Sequence, residues 1–122
     1  MTIILSFIRA YWIALTLLIL ALITILSLYP VENLPSVPGN DKTHHFIAYV
    51  ALMFPTALRK PTFWPCIGLF FVGWSGGIEL LQPYVNRYAE WLDLAANAAG
   101  VVCGLIAAQL ITWMAAAKSN SD

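Results

Sequence analysis

The chain has 122 residues, of which 61% are hydrophobic and 10% are charged, and its formal net charge is +0. Soluble domains contain about 25% charged residues, so this composition excludes an ordinary soluble domain. The chain has no run or stripe of basic residues, so nothing in it indicates a nucleic-acid partner. The apolar residues form long blocks, which is typical of a polytopic membrane protein. The length predicts one small domain covering 1–122.

Four segments are predicted to cross the lipid bilayer as helices, namely 7–28, 41–58, 63–82 and 91–117, because a span needs roughly 20 apolar residues. The first could be a signal peptide. However, its apolar run is longer than the roughly 7–15 residues of a signal-peptide core, and no A-x-A site follows it, so we predict an uncleaved anchor. The segment 29–40 contains three prolines and is predicted to be a loop.

The Lys and Arg residues predict the orientation of this all-α, four-helix bundle. With four spans, both termini and the turn at 59–62 lie on one side of the membrane. That side carries Arg9, Arg59, Lys60 and Lys118, whereas the other carries Lys42 and Arg87. Cytoplasmic loops have an excess of Lys and Arg. We therefore predict cytoplasmic N- and C-termini in a multi-pass protein of the cytoplasmic (inner) membrane.

The second predicted span begins with ionisable residues. Asp41, His45 and Tyr49 are spaced by four residues, so on a helix they form one stripe, with Lys42 beside it. His44 lies about 100° around the helix from its neighbour and is predicted to be a bystander. Two simpler roles stay open. Asp41 could cap the helix N-terminus, and His45 could be an interfacial histidine bonded to a neighbour.

Polar residues also mark the facing ends of the third and fourth predicted spans. Glu79 and Gln82 precede the connecting loop, and Asp93 and Asn97 follow it. A carboxylate inside a transmembrane helix is expensive and usually faces the bundle, where it is paired. Arg87 lies in the loop, where it could cover the carboxylates or hold an anionic ligand with two hydrogen bonds. The structural alternative is that Glu79 simply pairs with Arg87 or with His45.

Two glycine motifs predict how these spans pack. Gly73-x-x-x-Gly77 lies in the third span and Gly100-x-x-x-Gly104 in the fourth. Small residues at this spacing let helix backbones approach closely. We therefore predict that the third and fourth spans pack against each other and bring their polar ends to one depth. The predicted ligand-binding residues are Asp41, Lys42, His45, Tyr49, Glu79, Gln82, Arg87, Asp93 and Asn97.

The order D-K-x-x-H-F-x-A-Y, E-x-x-Q, Arg and D-x-x-x-N-x-x-G-x-x-x-G resembles the VanZ-like membrane protein family. These elements fall at 41–49, 79–82, 87 and 93–104 on a matching hydropathy profile, and His44 is an extra histidine beside the matching His45. The family is named for a protein associated with low-level resistance to the glycopeptide antibiotic teicoplanin. The resemblance implies a small cell-envelope membrane protein that acts near peptidoglycan precursors or other lipid-linked substrates, and it supplies no mechanism.

Binding is the first function that these residues support. An anionic or peptide-like envelope ligand, such as a lipid-linked precursor or a glycopeptide, would contact Lys42 and Arg87 through a phosphate or carboxylate. The N-termini of the second and fourth spans would favour the same anion. A structural role is the alternative, in which the polar layer holds the helices together and the protein is a scaffold of an envelope complex. A homo-oligomer is compatible with so small a bundle.

Catalysis is a further alternative, and whether the protein is an enzyme stays open at this point. In a membrane hydrolase or transferase, His45 would be a general base oriented by Asp41, and Glu79 would be an acid. The same side chains and Asp93 could instead bind a divalent metal. Because no HExxH or phosphatase-type motif is present, we predict no metal and no cofactor.

Overall fold

Within the described residues the chain is almost entirely helical and has no β-strand, which confirms the predicted all-α class. The computed structural model describes residues 2–29, 41–85 and 91–121, and within them the side chains of all but 2, 41 and 119–121. In chain order the helices are α1 Thr2–Ala10, α2 Trp12–Leu28, α3 Asp41–Arg59, α4 Trp64–Leu81 and α5 Trp91–Ser121. A short 3-10 helix, Gln82–Val85, follows α4.

Two helical segments are long and apolar enough to cross a membrane, Trp64–Val85 and Trp91–Lys118. A third segment qualifies if α1 and α2, which meet at an angle of 76°, are counted as one span. Within the described residues these helices indicate a membrane protein. Pro65 lies in the first turn of α4, where a missing backbone N–H group costs no hydrogen bond.

The first predicted span, 7–28, is interrupted at Tyr11, whereas the sequence predicts one continuous helix. No proline or glycine marks the interruption, so long-range contacts explain it. Leu5 of α1 is buried. Arg9 Nε donates a hydrogen bond to the Leu58 carbonyl at the end of α3, at 3.3 Å, and its Nη2 lies 3.5 Å from Thr112 Oγ1 of α5. These contacts hold α1 across one end of the bundle.

Helix α3 is the central helix of the bundle. It contacts α1, α2, α4 and α5, and its buried side chains include Tyr49, Leu52, Met53 and Thr56. A helix that faces other helices on several sides needs less apolar surface than one that faces lipid. This position explains why α3 is less apolar than α4 and α5. Its 19 residues extend about 28 Å, close to the thickness of the hydrocarbon core.

The glycine face of α5 packs directly on α3. A Cβ atom added at Gly100 would lie 2.5 Å from the Phe46 carbonyl oxygen and 2.9 Å from Tyr49 Cβ. A Cβ atom added at Gly104 would lie 2.8 Å from the Val50 carbonyl oxygen. Both approaches are too close for a side chain. These two glycines therefore set the distance between α3 and α5.

The predicted packing of the two glycine motifs against each other is wrong. A Cβ atom added at Gly73 or Gly77 would meet no described atom within 4 Å, and Gly100 and Gly104 face α3 rather than α4. The motif identifies a surface that permits close approach, but it does not identify the helix that approaches. Gly73 and Gly77 instead line an open apolar groove between α2 and α4.

Candidate functional site

Three ionisable side chains from three helices converge at one end of the bundle. His45 of α3, Glu79 of α4 and Asp93 of α5 each offer a metal-binding atom, and these atoms all lie within 4.8 Å of one another. Glu79 and Asp93 are each 5% exposed, and His45 is half-buried. We call these three residues the carboxylate–histidine cluster. The structure thus brings together residues that are 34 and 48 positions apart in the sequence.

The helix faces explain this convergence. His45 lies four residues before the buried Tyr49, and so one turn along the buried face of α3. Asp93 lies seven residues before Gly100, on the face of α5 that packs on α3, and in the first turn of its helix. A carboxylate in the first turn interacts favourably with the helix dipole. Glu79 lies beside Ile78 in the buried part of α4.

Lys42 stands at the open edge of the cluster. Its Nζ atom lies 3.8 Å from Asp93 Oδ1, and its side chain is 41% exposed, compared with 8% for Asp93. This distance permits an ion pair but is too long for a hydrogen bond. Within the described residues, Asp93 Oδ1 accepts no hydrogen bond. A buried carboxylate oxygen with spare acceptor capacity therefore lies close to an accessible ammonium group.

A second polar layer lies one helical turn deeper. Asn97 Nδ2 donates a hydrogen bond to Ser75 Oγ, and the Ser75 and Tyr49 hydroxyls share another hydrogen bond. All three side chains are buried. This layer joins α3, α4 and α5 directly below the cluster. Sequence reasoning missed Ser75, although its spacing of four residues from Glu79 places both on one face of α4.

Gln82, one of the predicted ligand-binding residues, contacts a different helix. Its Nε2 atom donates a hydrogen bond to the Ser27 carbonyl at the end of α2, at 3.1 Å, and the side chain is buried. A second hydrogen bond, from Trp74 Nε1 to Thr24 Oγ1 at 2.9 Å, joins the same two helices nearer their middle. Gln82 therefore connects α4 to α2 through its amide nitrogen.

Two predicted site residues cannot be placed beside the cluster. Arg87 lies outside the described residues, and only the backbone of Asp41 is described, as the first residue of α3. Their predicted roles stay predictions. His44, the predicted bystander, is half-buried and is not one of the three residues of the cluster.

The cluster and Lys42 together have the groups needed for three kinds of chemistry. Two carboxylates and an imidazole can transfer protons or bind a cation, and Lys42 can contact an anion. No protein-family model, curated protein or solved structure matches the chain. The resemblance to the VanZ-like family therefore rests on the motif residues themselves.

Proposed function

We propose that the chain is a VanZ-like, four-span protein of the cytoplasmic (inner) membrane whose outward-facing site binds a lipid-linked ligand of the cell envelope. The convergence of His45, Glu79 and Asp93 beside Lys42 carries this proposal. Intramembrane ionisable residues are expensive and commonly mark a binding or transport site. Through this ligand the protein would influence susceptibility to glycopeptide antibiotics, the property for which the VanZ-like family is named.

The helix contacts support a four-span arrangement. Lys42 at the start of α3 lies beside Asp93 at the start of α5, and Gln82 after α4 contacts Ser27 at the end of α2. Four helices that cross in alternating directions have these ends on the same side. Helix α3 crosses with the others because its polar groups face protein instead of lipid. The Lys and Arg bias then puts this end outside and both termini in the cytoplasm.

The mixed charge of the site supports a ligand with both anionic and hydrogen-bond-donating groups. Lys42 is accessible and would contact a phosphate or carboxylate, which the N-terminus of α3 also favours. The carboxylates of Glu79 and Asp93 would accept hydrogen bonds from amide, amine or hydroxyl groups. A lipid-linked precursor that carries a peptide or sugar offers all of these groups.

An apolar groove between α2 and α4 supports the lipid part of this ligand. The groove has a volume of about 380 Å³, and its lining includes Gly73, Gly77, Leu28 and Leu81. Because the two glycines have no side chains, the groove stays open to the bilayer. Its lining reaches Leu81, the residue before Gln82. The hydrocarbon chain of the ligand would occupy the groove while its headgroup contacts Lys42.

Binding of a lipid-linked peptidoglycan precursor to the protein in nanodiscs tests the proposal. We expect Lys42→Ala to weaken binding by about 10-fold or more, because a hydrogen bond to a charged group contributes about 1.5–3 kcal/mol. Arg59→Ala, at the opposite end of the same helix, is the matched control and should bind like the wild type. Equal binding by both variants and the wild type would contradict a headgroup site at Lys42.

A strain that lacks the gene provides the corresponding cellular test. Complementation with the wild-type gene or with Arg59→Ala should restore the same teicoplanin susceptibility, whereas Lys42→Ala and Glu79→Gln should not. The carboxylate–histidine cluster also supports a membrane hydrolase or transferase, with His45 as the base. Chemical conversion of the bound precursor by the wild type, and its loss in His45→Ala, would favour that alternative over binding alone.

A further inference from the structure

We propose that His45, Glu79 and Asp93 form a binding site for one divalent transition-metal ion, of which Zn²⁺ is the best match. This inference goes beyond the proposed ligand and would hold if that ligand were wrong. It also replaces the sequence-based expectation that the site contains no metal, because the sequence provides no ligand motif whereas the fold brings three ligands together.

The geometry fits a single ion. Zn²⁺ lies about 2.0–2.2 Å from histidine nitrogen and carboxylate oxygen ligands in a tetrahedral arrangement, so two ligand atoms of one ion are about 3.3–3.6 Å apart. The three candidate ligand atoms already lie within 4.8 Å of one another. Changes in side-chain torsion angles that shorten these separations by up to about 1.5 Å would bring the three atoms around one ion.

The ligand types select the class of ion. Imidazole suits Zn²⁺ and other transition metals, whereas Mg²⁺ and Ca²⁺ prefer sites made of oxygen ligands. One imidazole and two carboxylates therefore favour Zn²⁺, with Mn²⁺ as the next match. Three protein ligands also leave a coordination position for water or for a ligand, as in catalytic zinc sites.

Burial of Asp93 is an independent observation that favours a cation. Asp93 is 5% exposed in an apolar bundle, where an ionised carboxylate is costly unless it is paired and hydrogen-bonded. Asp93 Oδ1 accepts no hydrogen bond from the described residues, and Lys42 Nζ is 3.8 Å away. A bound ion would supply the close contact that this oxygen lacks.

The deeper polar layer would hold the ligands in place. Tyr49 lies one helical turn from His45 on α3 and is close enough to Glu79 for an electrostatic interaction. Asn97 lies one turn from Asp93 on α5, and Ser75 contacts both Tyr49 and Asn97. Side chains that support metal ligands in this way commonly tune metal affinity.

Metal content measured on the purified protein tests the proposal. The full chain in detergent is stripped with a chelator, incubated with Zn²⁺, desalted and analysed by atomic emission. We expect one Zn²⁺ per chain in the wild type. Loss of supporting groups alone weakens metal binding by about 10- to 100-fold, so His45→Ala, Glu79→Gln and Asp93→Asn should weaken it at least that much. His44→Ala is the matched control and should retain the ion.

A spectroscopic measurement on the wild type keeps the test independent of variant folding. Mn²⁺ bound at the cluster should show coupling to one imidazole nitrogen by pulsed electron paramagnetic resonance, and an excess of Zn²⁺ should remove that signal. The proposal is overturned if the wild type retains no more Zn²⁺ than Glu79→Gln does, or if bound Mn²⁺ shows no nitrogen coupling. Lys42→Ala should lose precursor binding but retain the same amount of Zn²⁺ as the wild type. Failures of the two proposals can therefore be told apart.

Discussion

Asn97 of α5 donates a hydrogen bond to the Ser75 hydroxyl of α4, and both side chains are buried. The same hydroxyl is hydrogen-bonded to Tyr49 of α3. One small side chain therefore joins the three helices that supply the carboxylate–histidine cluster. In a bilayer no water replaces such bonds, so this contact fixes the relative positions of the helices below the cluster.

Replacement of Ser75 should destabilise the bundle. Ser75→Ala removes two hydrogen bonds and leaves the buried Tyr49 and Asn97 groups without this partner. Single interhelical hydrogen bonds in membranes contribute about 0.6 kcal/mol on average. Since two bonds are lost, we expect a decrease of about 1–2 kcal/mol in the free energy of unfolding, measured by titration with a denaturing detergent. Ser6→Ala, at an exposed position of α1, is the control and should change it little.

Alanine at Gly100 should separate α3 from α5. The new Cβ atom would meet backbone atoms of α3, which cannot move aside as a flexible side chain can. Overpacking of this kind costs typically about 1–3 kcal/mol. Gly77→Ala is the matched control, because no atom of the described residues lies within 4 Å of its new methyl group and alanine favours the helix by up to about 1 kcal/mol.

Unfolding measured for the two glycine variants should therefore give changes of opposite sign. Gly100→Ala should also displace His45 from Asp93 and so lower Zn²⁺ retention. Equal stability of Gly100→Ala and the wild type would contradict the close contact between α3 and α5.

The helical class of the fold follows from the sequence, but its packing does not. Long apolar blocks predict helices at 41–58 and 91–117, and the structure has α3 and α5 there. The interruption at Tyr11 depends on the contact of Arg9 with Leu58, which are 49 residues apart. No local pattern contains that information. The prediction that the two glycine motifs pack against each other failed for the same reason, since spacing along one helix cannot identify the helix that packs against it.

The site was more predictable than the packing, because the spacing of residues along a helix shows which of them lie on the same face of that helix. The stripe of His45 and Tyr49 places both toward the bundle, and the costly carboxylates had to face inward as well. What spacing could not provide is the distance between side chains on different helices. It therefore did not distinguish a ligand pocket from a metal site, and it could not predict that the Gln82 amide nitrogen contacts Ser27 of α2.

Arg9 should hold α1 against the bundle. Arg9→Gln removes the hydrogen bond to the Leu58 carbonyl and the contact with Thr112. We expect faster hydrogen–deuterium exchange in residues 2–10, because few other polar contacts restrain this helix, with little change in α4. Arg59→Gln replaces another basic residue near the same end of the bundle and should leave exchange in α1 unchanged. Unaltered exchange in Arg9→Gln would show that apolar packing of Leu5 is sufficient.

The proposed topology predicts which loops face outward. Cys66 and Cys103 are free, so replacing both with serine allows single cysteines to be introduced at Ser36, Thr62 or Ser119. With four spans and cytoplasmic termini, an impermeant maleimide should label the Ser36→Cys variant in intact cells. It should label Thr62→Cys and Ser119→Cys only after the membrane is permeabilised. If α3 did not cross, positions 36 and 62 would be labelled together, and position 119 would also be accessible from outside. That pattern would contradict the four-span arrangement, and with it the outward-facing site.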